Sequence, residues 1–198
     1  MLNKILNIVI MKKVLLGLVL VSGLSFGQVK KVATSKVNWW GYGVMKSEAS
    51  SHNGTITLKS GELTLKKNSV VGGKFVLDMN SINATDVSGE MQKKLNAHLK
   101  NGDFFEVEKF PTATFVITNV KKNNDKKFNS KITGKLTIKG KTNVVSFPAN
   151  VVVKDGSISL QSELFTFDRQ KFDVVYQSSM KDMVIKDEVG VKVELIAK

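Results

Sequence analysis

The chain of 198 residues contains no cysteine. A disulfide scaffold, an iron–sulfur cluster, a thiolate zinc site and a cysteine nucleophile are therefore excluded. An oxidising compartment is not, because a domain of this length buries enough apolar surface to fold without cross-links. Proline is nearly absent, at two residues, and glycine stands at 15. With 42% hydrophobic residues, this is the composition of a chain with one real core, not of a disordered or low-complexity segment.

Arginine is just as scarce. Arg169 stands alone among 30 basic residues, the rest being lysine, in a chain of formal charge +13. Nucleic-acid readers rely on arginine for bidentate contacts to phosphate and guanine, so no nucleic-acid partner is expected. Lysines spaced along strands read as the wetted face of a β-protein. Weak attraction to a membrane surface of anionic headgroups fits the same charge and stays open. Histidine occurs twice, as His52 and His98. No His-Glu-x-x-His spacing, nucleophile elbow or phosphate-binding glycine loop accompanies them. Each histidine reads as a structural residue. No catalytic residue, metal ligand or cofactor is expected.

What is present begins with an address. Met11-Lys12-Lys13 supplies a positive start, Val14 to Val21 an apolar run, and Ser25 and Gly27 the small residues before a cleavage ahead of Gln28. This is the layout of a secretory signal peptide over 1–27, with residues 1–10 as an upstream extension. The apolar run is too short to span a bilayer. Cleavage removes three lysines and no acid, so the formal charge falls to +10. The expected location is the periplasm or the exterior.

The remainder, 28–198, reads as one domain of short alternating segments. Strands are expected at about 37–45, 53–59, 62–67, 70–80, 112–121, 128–139, 143–154, 157–167 and 182–197. Ser60-Gly61 reads as the turn of a hairpin, and Asp155-Gly156 as another. The segment 157–167 changes phase between Leu160 and Phe165, which predicts a bulge. One helix interrupts the pattern, from an N-cap at Ser88 to a stop at Asn101-Gly102. Its apolar stripe is Met91, Leu95 and Leu99, with Gln92 and Asn96 turned outward. An aromatic elbow of Phe104, Phe105 and Phe110 follows, closed by Pro111. The expected fold is all-β: an antiparallel barrel of about eight strands with one inserted helical segment. A barrel of that size is either filled by side chains or wide enough for one slender ligand.

Several runs then combine. They are His52-x-Gly54, Gly73-x-Phe75, Leu95-x-x-His98-Leu99-Lys100-x-x-Asp103-Phe104-Phe105-x-Val107-x-x-Phe110-Pro111-Thr112-Ala113-Thr114-Phe115, Gly134-x-Leu136-Thr137-Ile138-Lys139-Gly140-x-Thr142, and Phe165-x-Phe167-x-Arg169-x-x-Phe172. Together they resemble the YceI-like family of bacterial exported lipid-binding proteins, over essentially the whole of 28–198. The resemblance implies an extended, lipocalin-like barrel closed by a helical segment. It also implies an apolar tunnel for a polyisoprenoid or similar chain, commonly in a homodimer. The chain departs from the family at Lys171-Phe172-Asp173, where Asp-Phe-Gly is usual.

The resulting expectation is an exported, non-enzymatic protein that holds an isoprenoid or fatty-acyl lipid. Its wall residues are Phe75, Phe115, Leu136, Ile138, Phe147, Phe165 and Phe167, with Leu99, Phe104 and Phe105 at the helical closure. His98 and Arg169 serve either the polar end of the ligand or as structural braces; for Arg169 a fixed carboxylate partner is the favoured role. Two rival classes stay open: an enzyme acting on a lipid in the same cavity, and a filled barrel binding polyanions or surfaces through its lysines.

Overall fold

Strands with one apolar and one polar face must bury the apolar one, and a long antiparallel sheet does so by curling until its edges meet. The computed structural model does this. It describes residues 27–125, 127–179 and 181–198; the expected leader lies outside these except for Gly27. The strands are β1 (Gln28–Met45), β2 (Glu48–Lys66), β3 (Ser69–Ala84), β4 (Thr112–Lys122), β5 (Ser130–Ile138), β6 (Lys141–Lys154), β7 (Ser157–Ser162), β8 (Phe165–Asp168) and β9 (Met183–Ala197). Helix α1 (Gly89–Lys100) lies between β3 and β4, and a 3₁₀ turn, Arg169–Phe172, follows β8. Neighbours run β1-β2-β3-β4-β5-β6-β7-β9, and β9 pairs back onto β1 to close the sheet.

Two phase changes in the sequence have the same cause. The expected hairpin at Ser60-Gly61 is absent: β2 runs unbroken through it. Leu58 pairs with Leu77 but Ser60 with Val76, so Lys59 is a bulged residue. One extra residue moves the inward set from Ile56 and Leu58 to Leu63 and Leu65. The second slip is the predicted one. β7 pairs Leu160 with Leu195, whereas β8 pairs Phe167 with Val189, one residue out of register. β7 and β8 thus act as one bulged strand, and eight strands circle the barrel. Tight hairpins join β1 to β2, β2 to β3, β5 to β6 and β6 to β7 through pairs of left-handed residues: Lys46-Ser47, Lys67-Asn68, Lys139-Gly140 and Asp155-Gly156.

Consecutive antiparallel strands sort the connections into two ends. One end has the turns 46–47 and 139–140, the segment 85–111 and the segment 169–182. The other has the turns 67–68 and 155–156, the loop 123–129, and both Gln28 and Lys198.

Helix α1 covers the first end, though not as its stripe suggests. Leu99 is buried, but Met91 is 64% exposed. Gln92 and Asn96, expected outside, face β3. Asn96 Oδ1 accepts the Ala84 N–H at 2.8 Å, and Gln92 Nε2 donates to the Ala84 carbonyl at 2.7 Å. The reason is an open sheet edge. β3 pairs with β4 only as far as Asp78, and the amides replace the missing strand partner. Ser88 flanks the helix in an extended conformation without a side-chain cap. Among the described residues no helix is long and apolar enough to cross a membrane.

Candidate functional site

The barrel axis is hollow. A cavity of about 180 Å³ runs inside it, lined by apolar side chains apart from Ser35. All ten residues expected as wall or closure line it: Phe75, Leu99, Phe104, Phe105, Phe115, Leu136, Ile138, Phe147, Phe165 and Phe167. They arrive from β3, the α1 segment, β4, β5, β6 and β8.

Four of the rings form a ladder across the wall. Centroid distances are 6.5 Å for Phe75–Phe115, 5.6 Å for Phe115–Phe147 and 4.2 Å for Phe147–Phe165. β5 stands between Phe115 and Phe147, and Gly134 makes the crossing possible. A Cβ there would fall 2.4 Å from Phe115 Cζ. Gly54 does the same for Trp39, whose ring would meet its Cβ at 2.7 Å. Trp39 Nε1 donates to the Thr55 carbonyl at 3.2 Å, so this large ring is both packed and satisfied.

A second cavity of about 250 Å³ opens at the helical end. Trp39, Gly41, Leu99, Phe104 and Val189 line both spaces and stand between them. The outer space is partly polar, with Ser50, Ser51, His52, His98, Arg169 and Tyr176 in its lining. Together the two cavities fall within the roughly 300–1,000 Å³ of small-molecule sites.

His98 lies at the rim in an aromatic cluster, its ring 4.5 Å from Tyr176 and 5.0 Å from Phe104. Asp103 Oδ2 is 3.9 Å from its Nδ1. The Asp103 N–H is held by the Asn101 side chain at 2.9 Å. His52 shares a hydrogen bond of 2.7 Å with Asp86. Burial pushes the Asp86 carboxyl up, but hydrogen bonds from the Asn53 N–H and from His52 outweigh it and hold the group below its ordinary value.

Arg169 is 3% exposed. Nη1 donates to the Val174 carbonyl at 2.6 Å, Nε to Lys186 at 3.1 Å and Nη2 to Ile185 at 3.5 Å. Asp187 balances its charge at 3.1 Å. The need arises in β9. Against β1, Gly41 pairs with Val189 but Gly43 with Ile185, so 186–188 bulge out where the Ile185 and Lys186 carbonyls meet Arg169. The guanidinium fork supplies donors to both. Among the described residues no cluster of acids and histidines is arranged to hold a metal ion.

Tyr176 is a cavity residue that no expected element contains. Tyr176 sits in an irregular segment where periodicity carries no signal. Trp39 belongs to the core and lines both cavities.

Fold and site define a class: a small closed antiparallel barrel with an apolar interior beside a partly polar mouth. Burkholderia cenocepacia BcnA shares this fold with a TM-score of 0.62 at 23% identity, over 83% of this chain and 96% of that one. A polyisoprenoid binding domain from Saccharophagus degradans follows at 0.56 and 13% identity, over 86% and 97%. At these identities the likeness is one of fold. The YceI-like domain model matches residues 29–197, and the chain belongs to that family. A UPF0312 protein of Pseudomonas aeruginosa is 36% identical over 92 residues, 46% of this chain and 44% of that protein. Protein YceI of Escherichia coli O157:H7 is 31% identical over 110 residues, 56% and 52% of the two chains. The matched stretches thus span about half the length of these curated relatives.

Proposed function

We propose that this protein is a non-enzymatic binding protein that holds an isoprenoid or similar amphiphilic lipid chain in the barrel cavity. The observation that carries this reading is an interior lined by apolar side chains that adjoins a partly polar rim across shared wall residues. An apolar chain there exchanges water for hydrocarbon contact, worth about 0.8 kcal/mol per buried CH₂ before ordering costs. The rim offers hydroxyl and imidazole groups to a polar end. A carrier, storage or sequestration role fits such a site, as does export through a leader cleaved before Gln28. The polyisoprenoid binding domain from Saccharophagus degradans supports the ligand class through its fold and its name.

Native mass spectrometry and organic extraction of purified residues 27–198 test the reading. A prenyl or fatty-acyl adduct, or uptake of such compounds by the stripped protein, is expected. A clean apo mass together with no uptake would refute it.

A further inference from the structure

Positive charge is sorted to one end of the barrel. At the mouth end, the stretches 46–48, 85–111, 139–141 and 168–188 carry eleven basic and eleven acidic residues among those described, so they balance. The opposite end does not balance. Lys66, Lys67 and Lys154 sit at its turns, and Lys121, Lys122, Lys127 and Lys131 surround its loop. Lys30, Lys31 and Lys198 at the chain ends complete a crown of ten lysines, against Glu62, Asp125 and Asp155. Asp125 is occupied locally, accepting the N–H groups of Lys127 and Phe128 at 2.6 and 3.3 Å. Among the described residues no crown lysine has an ion-pair partner.

This arrangement works against the fold. Lys121 is the direct register partner of Lys131. Lys31 and Lys198 exchange backbone hydrogen bonds of 3.1 and 2.9 Å and so also stand opposite each other. Like charges placed this way destabilise a sheet. A partner that brings the counter-charge accounts for a surface kept against its own repulsion. The crown has no arginine, and its one aromatic residue, Phe128, is buried. Bidentate forks and exposed stacking platforms, the means of gripping nucleic acid, are therefore missing. Val29 and Val71 protrude among the lysines, 52% and 45% exposed, on the strands either side of Thr64.

We propose that the lysine crown docks on the anionic headgroup layer of a phospholipid bilayer and turns the mouth away from that membrane. Lysine is a hydrated point charge on a flexible stem, suited to mobile headgroups. Each basic residue near an anionic surface strengthens binding roughly fivefold. The orientation does not depend on what the cavity holds.

Residues 27–198, which contain the whole barrel, can be co-sedimented with phosphatidylcholine vesicles with and without phosphatidylglycerol. Binding is expected only to the anionic vesicles, and it should weaken steeply with salt. The variant Lys66→Ser/Lys67→Ser/Lys121→Ser/Lys122→Ser should lose roughly 600-fold in affinity. Lys94→Ser/Lys141→Ser/Lys171→Ser/Lys181→Ser, an equal change of charge at the mouth end, should stay within a few-fold. The absence of cysteine allows single labels on the otherwise unchanged chain. A fluorophore at Ser69→Cys should be quenched by headgroup-labelled nitroxide lipid, and one at Ser179→Cys should not. Failure to bind anionic vesicles, equal losses in the two lysine sets, or quenching of the mouth label overturns the proposal. So does tighter binding to a DNA duplex than to anionic vesicles, which would make the crown a polyanion site.

Discussion

Arg169 is the one arginine of the chain, and its guanidinium is committed to three backbone carbonyls and Asp187. An ammonium cannot span that set, so Arg169→Lys should destabilise the fold by about 2 kcal/mol and Arg169→Ala by about 4 kcal/mol. Urea unfolding followed by tryptophan emission measures both; a neutral Lys variant would show that the bulge in β9 does not need the fork. Asp86 gives a pH prediction. Its carboxyl is held below the ordinary value in the folded state by hydrogen bonds that outweigh burial. The stabilisation is therefore present above the unfolded value near ~3.9 and disappears as pH falls through the lower folded value. Thermal melts from about pH 7 down to pH 2 should show Asp86→Asn melting lower near neutrality and converging on the parent in acid. Parallel curves would mean that another group carries the acid sensitivity.

At the scale of elements, α1 and the elbow after it act as a cover on the mouth. Phe104 lines both cavities and Phe105 the inner one. Phe104→Ala/Phe105→Ala should shorten lipid retention while leaving the far-ultraviolet circular dichroism of the sheet in place; equal loss of both would make the elbow plain core. The barrel itself was legible because inward positions such as Ile132, Leu136 and Ile138 alternate without interruption. The slip before Phe165 was legible for the same reason. The parallel slip at Lys59 was misread as a hairpin, since a bulge and a turn produce the same change of parity and Ser60-Gly61 suits either. The docking of α1 was not legible. Gln92 and Asn96 bond to the Ala84 backbone because β3 outruns β4, and an unpaired edge is a property of register, not of local pattern. Wall residues on regular strands were found by phase, whereas Tyr176 and Val174 lie in an irregular segment and the other partners of Arg169 sit at the bulge in β9.

At the scale of the molecule, a ligand that binds only the closed barrel adds to its stability by mass action. Protein stripped of lipid by organic extraction should melt about 5–10 °C lower than loaded protein, for a ligand present at about a hundred times its dissociation constant. Reloading with a prenyl or fatty-acyl compound should restore the difference. An unchanged melting temperature would separate the cavity from lipid binding.

Even strand number has one more consequence. It brings Gln28 and Lys198 to the same end, where Lys31 and Lys198 already hold each other by two backbone hydrogen bonds. The chain is therefore suited to circular permutation. A short linker from Lys198 to Gln28, with new ends cut at Lys46-Ser47, would remove a turn whose two residues both have positive φ. It would leave the ring of strands intact and place a freely chosen peptide or surface anchor beside the mouth.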